Sequence, residues 1–303
     1  VELYADRGTE NVSDFGAGVA VETRAERRHG VGAAVRFDRQ AEDRGDPEEA
    51  SVRRRSQRDV ARAQTFYRFR SGRLETELAG DIRHLAFRRE ADTDRDRTEW
   101  RLAPRLGYAI SPLLRLSVSP VFERIRFDRD LDDLGFDRDR DEAGGSVRID
   151  LGDGAIYSGR LEVGARWIDT RDPAFDDLTV LTSKLTLNWL PDRLTGVTLV
   201  GERISRATTQ VASSVRVDTS LGLLVAREVL RNLLVMPSAR VTRQSFEGIA
   251  RDDTVLEAGA AVEYRLNRRA ALVFDYGWTR RESSVAAESF TRNRLSLGLR
   301  VYI

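Results

Sequence analysis

The segment Arg292-Asn293-Arg294-Leu295-Ser296-Leu297-Gly298-Leu299-Arg300-Val301-Tyr302-Ile303 decides the fold class. Leu295, Leu297, Leu299, Val301 and Ile303 share one parity; Arg292, Arg294, Ser296, Gly298, Arg300 and Tyr302 share the other. Successive side chains of a strand point to opposite faces, so this spacing makes one apolar face and one polar face. A helix would scatter both sets around its axis. The segment reads as a strand.

The same period of two runs back along the chain. Leu272, Phe274, Tyr276 and Trp278 alternate with Val273, Asp275 and Gly277, and Tyr157, Leu161, Val163, Ala165 and Trp167 alternate with Arg160, Glu162 and Arg166. Sixteen strands follow, at 1–7, 13–27, 30–41, 60–70, 73–87, 98–110, 113–126, 144–151, 155–168, 177–190, 194–206, 214–228, 232–244, 254–266, 269–281 and 290–303. Many exceed the roughly 5–6 residues usual in soluble sheets and match the ~9–11 that a tilted strand needs to cross a bilayer. Tight turns at Arg28-His29, Ser71-Gly72, Ser111-Pro112, Gly152-Asp153-Gly154, Pro191-Asp192, Arg231-Asn232 and Asn267-Arg268 rotate with longer polar segments at 42–59, 88–97, 127–143, 169–176, 207–213, 245–253 and 282–289. Outer-membrane barrels alternate short periplasmic turns with longer extracellular loops. The reading is an all-β chain, a transmembrane antiparallel up-and-down β-barrel of about sixteen strands in a single domain over 1–303, with both termini on the short-turn, periplasmic side. Eighteen strands stay open if residues precede Val1.

Composition removes other classes. Of 303 residues 33% are charged, but 50 basic residues meet 49 acidic ones, so no global field grips nucleic acid. No run of about 18 apolar residues offers a transmembrane helix. There is no cysteine, hence no disulfide or thiolate metal site. No leader opens at Val1, which reads as a cytosolic or an already processed chain. A soluble sandwich also alternates, yet these strands are too long for one, and no motif recurs at a fixed period as in a solenoid.

The final residues Ser296-Leu297-Gly298-Leu299-Arg300-Val301-Tyr302-Ile303 resemble the C-terminal signal read by the barrel-assembly machinery, with Ser296, Gly298, Val301 and Ile303 at its defining positions and Ile303 where an aromatic is usual. The whole chain resembles the putative β-barrel porin type 2 group of proteobacterial outer-membrane proteins, often found with exopolysaccharide synthesis and export genes. The likeness rests on Val217-Asp218-Thr219-Ser220-Leu221-Gly222-Leu223, Tyr264-Arg265-Leu266-Asn267-Arg268 and Phe290 to Leu299, and is best from about 195 onward. It implies an outer-membrane channel secreting exopolysaccharide, with a periplasmic polysaccharide-export protein as partner. A general diffusion porin and a non-conducting surface receptor or structural barrel stay open beside it.

In such a barrel the apolar parity faces outer-membrane lipid, with Trp100, Tyr108, Tyr157, Trp167, Trp189, Tyr276 and Trp278 near strand ends as girdles. The other parity lines the lumen: Arg62, Arg68, Arg101, Arg105, Arg115, Arg148, Arg160, Arg166, Arg216, Arg240, Arg292, Arg294 and Arg300, with Glu75, Glu77, Asp81 and Glu162 among them. Arginine rows suit an anionic or sugar-rich polymer. They equally suit charge pairing between neighbouring strands, Glu75, Glu77 and Asp81 beside Arg101 and Arg105, and Glu2 and Asp6 beside Arg292, Arg294 and Arg300 where the barrel closes. Both can hold in different rows.

No enzyme and no cofactor are expected. His29 falls in a turn and His84 on the lipid parity, far from a nucleophile–base pair. Asp128-x-Asp130-x-Asp132 has calcium-loop spacing, but Asp133 stands where glycine is needed, so a solvated acid–base loop is the reading.

Overall fold

The computed structural model describes residues 14–25, 28–42, 56–152, 156–210 and 212–301. They form one fifteen-stranded antiparallel sheet in sequence order. Its strands are β1 (Phe15–Ala25), β2 (His29–Ala41), β3 (Gln57–Ser71), β4 (Leu74–Phe87) and β5 (Arg97–Ala109), then β6 (Leu114–Phe127), β7 (Arg140–Leu151), β8 (Tyr157–Thr170), β9 (Leu178–Asp192) and β10 (Thr195–Ala207). The last five are β11 (Val215–Leu230), β12 (Leu233–Phe246), β13 (Arg251–Arg265), β14 (Ala270–Ser283) and β15 (Phe290–Val301). Short 3₁₀ turns at Glu90–Arg95 and Ala286–Glu288 are the helical content among the described residues.

The sheet curls on itself. Arg138, just before β7, donates to the carbonyl of Ser213, just before β11. One cavity is lined from β3 round to β12. Glycine allows part of the bend: a Cβ at Gly144 of β7 would sit 2.2 Å from the Ala165 carbonyl oxygen, and one at Gly164 of β8 would sit 2.4 Å from that of Gly145. β1 and β15 are the edges and do not pair among the described residues. In an up-and-down sheet of fifteen strands the first and last run the same way, so an antiparallel seam takes one more strand. The sequence reading puts it at 1–7, and that segment, with Glu2, Asp6 and Ile303, lies outside the described residues.

The two faces are unequal. Leu297 is 76% and Val19 72% exposed on the outside, while Glu263 is 3% exposed on the inside. A soluble sheet would bury the first kind. Here backbone groups pair from strand to strand between the two edges, and the apolar surface is left for acyl chains. Tyr157 and Trp167 stand near opposite ends of β8, both exposed. At about 3.4 Å per residue and a tilt near 40°, they are ~26 Å apart along the membrane normal, close to the ~25 Å apolar band of such barrels. Tyr157 stacks on Trp189 of β9 with centroids 6.3 Å apart.

Boundaries moved where strands are polar. β7 begins at Arg140 rather than 144, and β12 and β13 reach Phe246 and Arg251, so the expected long segment at 245–253 is a tight connection with Gly248 at φ +83°. These extensions carry Arg, Asp and Glu on the inner parity and so lack the apolar alternation that marks the membrane-crossing part. The turn expected at Pro191-Asp192 lies two residues later, where the Asp192 carboxylate accepts from the Leu194 amide at 2.7 Å. His29 opens β2 and bonds the Tyr67 hydroxyl at 2.8 Å instead of lying in the turn.

Candidate functional site

Because strands alternate, an arginine on the inner parity meets inner-parity residues of both neighbouring strands. Arg62 reaches Asp81 at 2.6 Å, Arg68 reaches Glu77 at 2.5 Å and Arg105 reaches Glu77 at 3.1 Å. Arg115 lies 3.4 Å from Glu75, Arg148 2.5 Å from Glu162, and Arg160 2.6 Å from Asp150. Arg166 holds Glu123 at 2.9 Å and Glu142 at 3.0 Å. Arg300 meets Glu263 at 2.5 Å. Ser296 lies inside, donating to Asp275 at 3.3 Å, and Gly298 pairs in register with Val273, while Val301 faces out.

Two arginines stand apart. Arg101 and Arg240 have no hydrogen-bond or ion-pair partner among the described residues, although Asp81 and Glu123 flank Arg101 in register and Glu257 faces Arg240. Asp81 turns instead to Arg62 on its other side. Arg240, Arg292 and Arg294 share a cavity of about 570 Å³ with Glu257 and Asp275.

The long-loop end is built differently. Four strands running down from it open on Arg-x-acid: Arg97-Glu99 at 2.9 Å, Arg140-Glu142 at 2.8 Å, Arg216-Asp218 at 2.8 Å and Arg251-Asp253 at 3.0 Å. Residues two apart share a strand face, so each arginine folds along its own strand onto the acid. Arg281 adds a second contact to Asp253 at 2.5 Å. Arg138 lies over the rings of both Phe136 and Phe175, at 5.2 and 4.9 Å, the rings themselves 5.2 Å apart, and bonds Asp132 at 2.7 Å. Arg95 holds Glu42 at 2.7 Å and covers the Phe87 ring at 4.2 Å. Apolar packing joins in: Ile168 and Val180 meet Val215 and Val217, and Val60 meets Leu85 and Phe87.

Asp132 is therefore committed to Arg138 and to the amides of Leu134 and Phe136, each at 2.9 Å, rather than to a calcium loop. Loop carboxyls Asp94, Asp96 and Asp139 are pushed above their ordinary values, chiefly by burial. Sequence reading singled out Asp132 but not its partner, and missed Arg138, Arg140, Glu142, Arg251, Asp253 and Arg281, since most of them fell in segments read as loops. The Arg-x-acid spacing at strand starts was the available signal.

A family model described as "Putative beta-barrel porin 2" matches residues 1–303. No curated protein sequence matches. Among solved structures, the FrpB iron transporter from Neisseria meningitidis (F5-1 variant, apoprotein form) superposes with TM-score 0.55 at 9% identity, over 89% of this chain and 51% of that one. The F3-3 variant gives TM-score 0.53 at 8% identity over 89% and 52%. The copper transporter OprC gives 0.54 at 10% identity over 95% and 56%. The chain thus spans about half the length of these transporters, and the likeness is one of fold.

Proposed function

Because this chain belongs to the Putative beta-barrel porin 2 family of outer-membrane β-barrels, we propose that it is a channel passing a hydrophilic solute, with exopolysaccharide leaving the cell as the cargo. The observation that carries the channel reading is the sidedness of the wall: apolar side chains outward, arginine and carboxylate rows inward around cavities. About sixteen strands leave room for water rather than a packed core. The cargo is supported by the resemblance to proteins found with exopolysaccharide genes. The long loops face outward, and the short turns and both termini face the periplasm, where an export partner docks. Ser296, Gly298, Val301 and Ile303 present the assembly signal. The chain catalyses nothing in this reading.

Conductance in planar bilayers is the direct test. Stepwise open currents are expected, weakly ion-selective because the inner wall pairs most of its charges. A trace closed at every voltage would remove the channel. Secreted polymer unchanged after deletion of the gene would remove the polymer cargo and leave a general diffusion porin. The buried belt at the long-loop end favours one other reading, a non-conducting receptor, which the closed trace would select.

A further inference from the structure

We propose that the long-loop end of the barrel holds a binding chamber for an acidic saccharide, whose anionic group is clamped between Arg83 on β4 and Arg206 on β10. The proposal deepens the channel reading and rests on it for the saccharide class.

The chamber is a cavity of about 400 Å³, within the range of small-molecule pockets. Seven arginines and four carboxylates line it among the described residues, an excess of three positive charges. That excess has a structural origin. Glu99 already has Arg97 from its own strand at 2.9 Å, and Arg83 reaches it too at 2.5 Å. Asp218 already has Arg216 at 2.8 Å, and Arg206 reaches it too at 2.8 Å. The Arg-x-acid pairs are neutral by themselves, so Arg83 and Arg206 are two of the three surplus charges, and the third comes from Arg58 and Arg95 sharing Glu42. Both are partly open to the cavity, and each uses only part of its fork: Nη1 of Arg83 and both terminal nitrogens of Arg206 make no hydrogen bond among the described residues. Guanidinium donors left over on two strands that line one cavity suit a carboxylate.

A second, independent feature points to an occupant. Arg140 Nε, Ser205 Oγ and Gln244 Oε1 are buried with no hydrogen-bond partner, and all three residues line this cavity. Arg140 is 2% and Gln244 6% exposed. Unmet polar atoms are costly unless something meets them. Gln244 and Ser205 exchange hydrogen bonds with the ring alcohols that a uronate carries and inorganic phosphate lacks, and the four carboxylates accept from them.

The test uses the full chain folded in detergent, with retained heat-modifiable mobility as the check that each variant folds. Calorimetric titration compares digalacturonate with cellobiose and inorganic phosphate on the parent, Arg83→Gln and Arg206→Gln. Either substitution leaves Glu99 or Asp218 its own-strand arginine, so folding is spared. Digalacturonate is expected to bind, to weaken as salt is raised, and to weaken about tenfold in each variant, with cellobiose silent. Equal binding of digalacturonate and cellobiose, or unchanged binding in both variants, would overturn the chamber; phosphate binding as tightly as digalacturonate would overturn the saccharide. An open bilayer current without uronate binding counts against this proposal alone, and uronate binding with a closed trace counts against the channel alone.

Discussion

At the short-turn end Arg160 meets Asp150 at 2.6 Å with the arginine side chain 56% exposed, whereas at the long-loop end Arg281 meets Asp253 at 2.5 Å with neither side chain exposed. The chemistry of the two contacts is the same and their surroundings are opposite. In water-filled lumen a charge pair is screened and contributes little. In the closed end the pair has lost its hydration and depends on protein partners alone, Arg281 on Asp253 and Glu288, Asp253 on Arg281 and Arg251. Aromatic rings make the difference deeper, since Phe87, Phe136, Phe175 and Phe246 cover arginines at the long-loop end. One wall thus serves as a wet surface along part of its length and as a dry, interlocked rim at one end.

The largest expected effect of breaking this contrast is Asp253→Ala. It leaves the buried Arg251 and Arg281 to share Glu288, one guanidinium too many for a single carboxylate, and should lower unfolding free energy by about 3–5 kcal/mol, read by denaturant titration in detergent. A loss below that of an exposed pair would show that water reaches the rim. Next is Val163→Arg, at an exposed outward position mid-way along β8, which should cost about 2–4 kcal/mol if that face lies in hydrocarbon. No cost in a bilayer would put the outer face in water.

A third measurement concerns pH. Burial raises the folded-state pKa of Asp94, Asp96 and Asp139, so protonation is favoured in the folded loops. Their contribution to stability is complete below the unfolded carboxyl pKa and is lost as pH rises through the raised values. Hydrogen-exchange protection of segments 88–96 and 128–139 should therefore grow on acidification, whereas the short turn at Asp192, whose carboxyl the Leu194 amide holds below its ordinary value, should lose protection. Equal response at both ends would cancel the contrast. The smallest effect is Asp150→Ala, expected at about 0–1 kcal/mol.

Much of the fold was legible because hydrocarbon imposes a strict rule on strands that cross it. Leu295, Leu297 and Leu299 announce their face whatever their neighbours are, and the fourteen strand pairings follow from sequence order once the turns are seen. The rim was not legible for the complementary reason. Above the membrane both faces of a strand can be polar, so Arg140 to Ala143 and Arg251 to Asp253 carry no alternation and resemble loops. The inner residues Arg62, Arg101 and Arg148 could be placed on a face from sequence, but not given partners. Each carboxylate has candidate arginines on two sides, as Asp81 does with Arg62 and Arg101.

The sequence by itself determined the period of two, the strand order and which parity is greasy, because these depend only on chain geometry and transfer from water. Tertiary structure alone decided that Arg83 and Arg206 line one chamber, that Arg138 lies over two phenyl rings, and that Asp253 is dry. Those facts depend on how far the sheet curls, which brings residues from distant strands together and sets how much water remains between them.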